Sequence, residues 1–144
     1  MRKKFSIVQW LAFFFAAVFI GIVLISHWPG LTDEQGRLLG LFYIDPIDDI
    51  FHFLSGLIAL LVGLKSYRAS IIYFWIAGIP YGIDAATGLF FSREFLNGNL
   101  FVHGFGGPNF SLDNFLVNLP HILILIVMLF IAYWFGGRSI ERTA

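Results

Sequence analysis

The chain of 144 residues contains no cysteine and little charge. Without cysteine it forms no disulfide, no thiolate metal site and no cysteine nucleophile. Charged residues make up only 12% of the sequence, which is too little to cover a water-facing surface, since soluble domains carry roughly 25%. The formal net charge is zero, which argues against nucleic acid as a partner. Hydrophobic residues instead make up 58%, a composition that indicates a membrane protein.

Four long apolar segments predict four membrane-spanning α-helices. At about 1.5 Å per residue, each segment is long enough to cross a hydrocarbon core of about 30 Å. The predicted helices cover residues 5–26, 46–64, 70–91 and 112–135. The first is expected to be retained rather than cleaved, because no small-residue cleavage site follows it. The sequence therefore predicts an all-α, polytopic four-helix bundle that forms a single membrane domain over residues 1–144.

Basic residues fall mainly on one side of this four-helix arrangement. Two of them, Arg37 and Arg93, lie on the side of the two long loops. The other seven lie on the side of both chain termini and are Arg2, Lys3, Lys4, Lys65, Arg68, Arg138 and Arg142. Because Lys and Arg favour the cytoplasmic side of a membrane, both termini are expected in the cytoplasm, with the long loops facing outward.

Two short motifs recur at the start of a helix that follows a long loop. Asp49-x-x-His52 opens the second predicted helix, and Asn118-x-x-His121 lies near the start of the fourth. The two histidines are 69 residues apart, about half of the chain. This spacing suggests two helix pairs in parallel repeat, related by an axis along the membrane normal.

A small set of polar residues lies within the predicted spans. Asp84 is the only acid deep in an apolar segment, and it is expected to face the bundle interior or water, because an ionisable group in hydrocarbon costs a few kcal/mol. Helical spacing places Asp49 and His52 on one face of the second helix, at the top of the stripe that Gly56, Ala59 and Gly63 continue. It places Asn118 and His121 on one face of the fourth. All five polar residues map to the outward half of the membrane, where we expect them to converge in one shallow pocket.

Three interpretations of this polar cluster remain open. The first is packing, in which Asp84 pairs with histidine or asparagine across helices and fixes their register. The second is an ion or proton conductor or transporter that uses the outward pocket. The third is a metal or tetrapyrrole site with His52, His121 and Asp84 as candidate ligands, although the HExxH, HxxxH and CxxC spacings are absent. The chain also lacks a nucleophile elbow and a phosphate-binding glycine loop.

The first interpretation makes the chain a structural or partner-binding membrane component. No enzyme activity and no cofactor are assigned from the sequence. The expected partners are the lipid bilayer and either another membrane protein or a second copy of the chain. His27 and His103 lie in or beside the loops and are expected to be solvated. Along the second helix a 3-4-3-4 spacing predicts one narrow packing stripe, with small residues below two polar ones. Its members are Asp49, His52, Gly56, Ala59 and Gly63.

The start of the second helix carries a family resemblance. The letters GLF at 40–42, Asp45, and DDIFH at 48–52 resemble the bacterial DUF4383 family of small four-helix membrane proteins. There a GLF-x-x-[DN] stretch precedes [HD]-N-x-x-H, and Asn118-x-x-His121 looks like that family's second [DN]-x-x-H element. The resemblance covers roughly residues 37–133, and this chain has Asp-Asp where His-Asn or Asp-Asn is more usual.

The resemblance implies the topology, a location in the bacterial cytoplasmic (inner) membrane, and no mechanism, since the family has no established activity. A weaker likeness is to VanZ-like membrane proteins, which also carry an acid shortly before a histidine at a helix start.

Overall fold

The computed structural model of the protein describes residues 4–43 and 45–140, with side chains up to residue 137. Four helices in this part of the chain are long and apolar enough to cross a membrane, so the predicted four-helix membrane bundle is confirmed. The elements in chain order are α1 Ile7–Ser26, β1 Arg37–Leu38, β2 Phe42–Tyr43, α2 Pro46–Lys65, α3 Tyr67–Phe91, α4 Asn99–His103 and α5 Leu112–Ile140.

The helix bounds differ from the predicted ones mainly at α3 and α5. The side chain of Ser66 accepts a hydrogen bond from the N–H of Ala69 at 3.2 Å. This N-cap lets α3 begin at Tyr67, three residues earlier than predicted, because a capped first turn needs no apolar residues. Only Ser66 separates α2 from α3. At the other end of the chain α5 runs on to Ile140 rather than ending at 135.

The four long helices form two antiparallel pairs. α1 packs mainly against α2, and α3 mainly against α5. Gln9 Nε2 donates to the carbonyl of Gly63 at 2.7 Å and joins the start of α1 to the end of α2. Tyr67 Oη donates to the carbonyl of Phe135 at 2.7 Å and joins the start of α3 to the end of α5. Successive helices therefore cross in alternating directions.

The two ends of the bundle differ in character. The basic end holds the start of α1, the α2–α3 link and the end of α5, with Lys4, Lys65 and Arg68 among the described residues. Arg2, Lys3 and Arg142, which also contributed to the predicted charge bias, lie outside the described residues, as does the side chain of Arg138. The loop end holds the two long connections, residues 27–45 and 92–111.

Small residues let α1 and α2 approach each other closely. Four of the five residues of the predicted stripe, His52, Gly56, Ala59 and Gly63, are the buried residues of α2, whereas Asp49 is only partly buried. A Cβ added at Gly56 would lie 2.8 Å from Ile20 Cγ1 and 3.2 Å from the carbonyl oxygen of Ala16. Only glycine allows this approach, since the nearest atoms include the backbone of α1.

The middle of the bundle is filled by large apolar side chains. Phe19 and Phe74 are fully buried, and Phe15 and Tyr81 nearly so. Met128 brings α5 into the same cluster. This packing closes the bundle between its two ends.

The first loop contains a hairpin of two strands with two residues each. Strands this short leave no recognisable pattern in the sequence. β1 and β2 pair antiparallel, with Arg37 opposite Tyr43. The Asp33 carboxylate accepts the backbone N–H of Arg37 at 2.8 Å and its Nε–H at 2.9 Å. These bonds, the backbone one first, hold the pKa of Asp33 below its usual range. The hairpin brings Leu38, Phe42 and Tyr43 over the loop end of the bundle.

The close α1–α2 contact predicts that Gly56→Val destabilises the protein by about 1–3 kcal/mol, because the added methyl groups overlap α1. The measurement is thermal unfolding of the purified protein in detergent, followed by its tryptophan fluorescence. Gly21→Val is the matched control, since a Cβ at Gly21 meets nothing within 4 Å. Equal unfolding temperatures for the two variants would contradict this account of the α1–α2 pair.

Candidate functional site

Asp84 is the most deeply buried charged side chain among the described residues, at 1% exposure. Its Oδ1 accepts the backbone N–H groups of Phe95 and Leu96, both at 2.7 Å. Its Oδ2 lies 2.7 Å from Nδ1 of His121. One carboxylate thus joins α3, the second loop and α5. A buried carboxylate is tolerated where it is paired and hydrogen-bonded in this way.

His121 is oriented by this contact. With Asp84 as the acceptor, Nδ1 of His121 carries the hydrogen and Nε2 presents a lone pair. A carboxylate that holds a histidine by Nδ1 fixes the orientation and the tautomer of the ring, as in many metal and catalytic sites. Nε2 of His121 has no hydrogen-bond partner among the described residues.

His52 is held in the same manner by a different acceptor. Its Nδ1 lies 2.8 Å from the backbone carbonyl oxygen of Asp48, one helical turn earlier. A carbonyl oxygen only accepts, so Nδ1 carries the hydrogen and Nε2 again has a free lone pair. The ring centroids of His52 and His121 are 5.7 Å apart, with an interplanar angle of 33°. The two repeated motifs therefore bring their histidine rings close together, tilted with respect to each other.

Aromatic rings form the floor beneath the two histidines. Phe19 and Tyr81 stack with centroids 5.2 Å apart and an interplanar angle of 10°. The Tyr81 ring lies 5.5 Å from that of His52 and 5.4 Å from that of His121. Its hydroxyl donates to Ser55 Oγ at 2.9 Å. These contacts fix the imidazole rings from below and leave their upper side open.

A cavity of about 400 Å³ opens above the histidines at the loop end of the bundle. We call it the outer pocket. No lysine or arginine of the described part of the chain lines it. Its walls carry five acidic side chains, namely Asp45, Asp48, Asp49, Asp84 and Glu94. Five acidic side chains against two histidines leave the lining with an excess of negative charge, which favours cations.

All five residues predicted for the polar cluster line the outer pocket, but they have different surroundings. His52, Asp84 and His121 form its floor. Asn118 donates its amide to the Asn114 carbonyl at 2.7 Å and packs against Gly88, where a Cβ would overlap the Asn118 side chain. The remaining residue, Asp49, is partly buried, with 13% of its side chain exposed against 16% for His121.

Asp49 forms an ion pair at the mouth of the pocket. Its Oδ2 lies 2.8 Å from Nε2 of His27 in the first loop. His27 is exposed, as expected, with 62% of its side chain accessible. It is nevertheless bonded to Asp49 and not simply solvated. The pair ties the end of α1 to the start of α2.

Sequence reasoning missed Asp48 as a site residue. Its spacing of four residues from His52 places both side chains on one face of α2. No hydrogen bond reaches the Asp48 carboxylate from the described residues, and its Oδ1 is buried without a partner. Glu94 was also missed, since only the folding of the second loop over α3 brings it to the pocket.

The predicted metal ligands differ in whether their ligand atoms are already hydrogen-bonded to the protein. Both oxygens of Asp84 are occupied by protein donors, so Asp84 orients His121 instead of offering a free ligand atom. The described residues contain no group of three or more His, Cys, Asp or Glu side chains arranged to hold a metal ion. The metal site therefore stays a prediction. Its free ligand atoms would be the Nε2 atoms of His52 and His121.

A family model described as "Domain of unknown function (DUF4383)" matches residues 9–104, which is 96 of the 144 residues. The chain belongs to the DUF4383 family. The match includes Asp49, His52 and Asp84 and ends before α5. It therefore begins and ends earlier than the resemblance inferred from the sequence, and His121 lies beyond it. No curated protein and no solved structure matches this DUF4383 member.

The Asp84 network predicts that Asp84→Ala lowers the free energy of unfolding by about 2–4 kcal/mol, because three donors lose their acceptor. Asp84→Asn should lower the free energy of unfolding much less. Its amide oxygen still accepts from Phe95 and Leu96, and its NH₂ group donates to His121, whose hydrogen then moves to Nε2. Unfolding in detergent measures the stability, and ¹⁵N NMR of the imidazole reports the tautomer.

The control for both changes is Asp113→Ala, an exposed acid at the same end of the bundle that does not line the outer pocket. If Asp84→Ala were as stable as this control, Asp84 would not join the three segments as described.

Proposed function

We propose that this DUF4383 protein is a ligand-binding membrane component whose outer pocket takes a small cation. The observation that carries the proposal is the cavity of about 400 Å³ with five acidic side chains and no described lysine or arginine in its walls. Its volume lies within the range of ligand pockets, roughly 300–1,000 Å³. The proposal narrows the sequence-based hypothesis of a structural or partner-binding component.

The bonding state of the lining residues supports binding over packing alone. Packing accounts for Asp84, whose oxygens are both used, and for Asn118. It does not account for the Asp48 carboxylate, which accepts no hydrogen bond from the described residues. A half-buried acid without a partner is costly, and a bound cation would offset that cost.

The centre of the bundle favours binding over conduction. Directly below the histidines, Phe19 and Tyr81 stack across the bundle. Phe15, Phe74 and Met128 fill the next layer. A conductor would need a polar or open path through this region, so the outer pocket is better suited to hold a ligand than to pass one.

We further propose that both termini face the cytoplasm and that the protein resides in the bacterial inner membrane. The distribution of Lys and Arg supports this orientation, and the family resemblance supports the membrane. The outer pocket then opens to the outside of the cell. The apolar outer faces of the helices would contact lipid, and the exposed apolar side of α2 would be the surface for a membrane-protein partner or a second copy.

The orientation predicts opposite labelling of two engineered cysteines in the naturally cysteine-free chain. Gly107 and Gly137 are both exposed, and a Cβ at either meets nothing within 4 Å. In intact cells a membrane-impermeant maleimide should label Gly107→Cys, in the second loop, and should label Gly137→Cys only after permeabilisation. The reverse pattern would contradict the proposed orientation.

Cation binding predicts that small cations raise the unfolding temperature of the purified protein, because a ligand that binds only the folded state stabilises it. The panel is methylammonium, 1,4-diaminobutane, Ca²⁺ and Zn²⁺, with acetate and phosphate as anions. Asp48→Asn should reduce the shift, because it removes the uncompensated charge. Asp113→Asn, the same change outside the pocket, should keep it. Stabilisation by anions, or by no cation at all, would overturn the proposal.

A further inference from the structure

The chemistry of the free groups in the outer pocket narrows the class of ligand. Among the polar groups of its walls that have no hydrogen bond to the described residues are three acceptors, namely Nε2 of His52, Nε2 of His121 and the Asp48 carboxylate. His52 is 92% buried, at 8% exposure, so its free nitrogen is held inside the site and not in bulk water. All three groups are acceptors in the tautomers set by their Nδ1 partners.

Two side-chain amides of the pocket lining already donate to protein acceptors. The amide of Asn118 donates to Asn114 O at 2.7 Å, and the Asn99 amide donates to Glu94 Oε2 at 3.0 Å. A ligand that satisfies the free acceptors must therefore bring its own N–H or O–H groups. A quaternary ammonium carries the right charge but no such donor.

The number of free acceptors matches a primary ammonium group. An –NH₃⁺ group has three donors and no acceptor. Each Nε2 lone pair lies in the plane of its own ring, and the ring centroids of His52 and His121 are 5.7 Å apart, close enough for one ammonium nitrogen beside the ring edges to bridge the two Nε2 atoms at about 2.9 Å each. Asp48 lies one turn from His52 on the same helix and supplies the negative charge.

The remaining walls suit a carbon chain. Ile22, Leu38 and Val117 line the outer pocket beside the polar groups, and a cavity of about 400 Å³ is much larger than an ammonium group alone. Nearer the mouth, Asp49 and Glu94 also line the pocket and would favour a second positive charge on the ligand.

We propose that the ligand is an aliphatic primary amine, whose ammonium group donates to Asp48, His52 and His121 while its carbon chain lies along the apolar wall. The inference rests on the proposed cation-binding function and makes it specific. It distinguishes the ligand from a quaternary cation, which has no N–H, and from a bare metal ion, whose ligands must approach to about 2.1 Å, closer than the described residues bring three such groups.

The test is isothermal titration calorimetry on the full chain in detergent at about pH 8, where an alkyl ammonium is charged and an unperturbed histidine is neutral. The probes are 1,4-diaminobutane, the bis-trimethylammonium compound with the same four-carbon spacer, Ca²⁺ and Zn²⁺. The diamine should bind about tenfold more tightly than its quaternary analogue or better, since hydrogen bonds between charged groups are lost in the analogue.

Two variants test whether the amine binds at Asp48. Asp48→Asn should weaken diamine binding about tenfold or more, because the neutral amide loses the charge while keeping the side-chain shape. Asp113→Asn should bind as the unchanged protein does. Thermal unfolding without ligand establishes that both variants are folded.

The outcomes separate this inference from the proposed function. If the quaternary analogue binds as tightly as the diamine, or if only the metal ions bind, the amine proposal is overturned and cation binding stands. If no probe binds a folded protein, both proposals fail. Diamine binding that Asp48→Asn leaves unchanged would place the amine elsewhere and would also overturn the inference.

Discussion

The buried carboxylate of Asp84 is the constraint on which the loop end of the structure depends. It accepts two backbone N–H groups from the second loop and one hydrogen from His121. A carboxylate in this position has no water to rely on, so its partners must come from the protein. By meeting that requirement, the chain folds a polar loop down onto α3 and orients an imidazole on α5. One side chain thus positions both the second loop and His121 around the outer pocket.

The polar residues around Asp84 fall into two groups, those bonded within the protein and those with groups free to bind a ligand. Asp84 and Asn118 use their groups on the protein itself, which stabilises the bundle. His52 and His121 use one nitrogen each for orientation and keep the other free. Asp48 has no donor at all among the described residues. Unsatisfied buried groups lower stability, and their concentration around a single cavity is typical of a binding site that accepts lower stability in return for function.

Much of this arrangement could be predicted from the sequence, for identifiable reasons. Apolar runs of about 20 residues indicate spans, because the bilayer sets their length. Helical periodicity places His52, Gly56, Ala59 and Gly63 on one face, and these are the buried residues of α2. The predicted cluster of polar residues converges because side chains that are costly in lipid turn toward the bundle interior. The spacing of Asp48 from His52 also places it on the polar face of α2, so Asp48 could have been predicted as a site residue from the sequence.

The sequence by itself determined the number of helices, their alternation and the faces that carry polar groups, since bilayer thickness and helical period act locally along the chain. Only the tertiary structure decided that Asp84 holds the second loop, that His27 reaches Asp49, and that Glu94 joins the outer pocket. Those contacts link residues 11 to 37 positions apart, as with Asp84 to Phe95 and to His121. No local pattern encodes them, because loop backbone follows the hydrogen bonds available once the helices have packed.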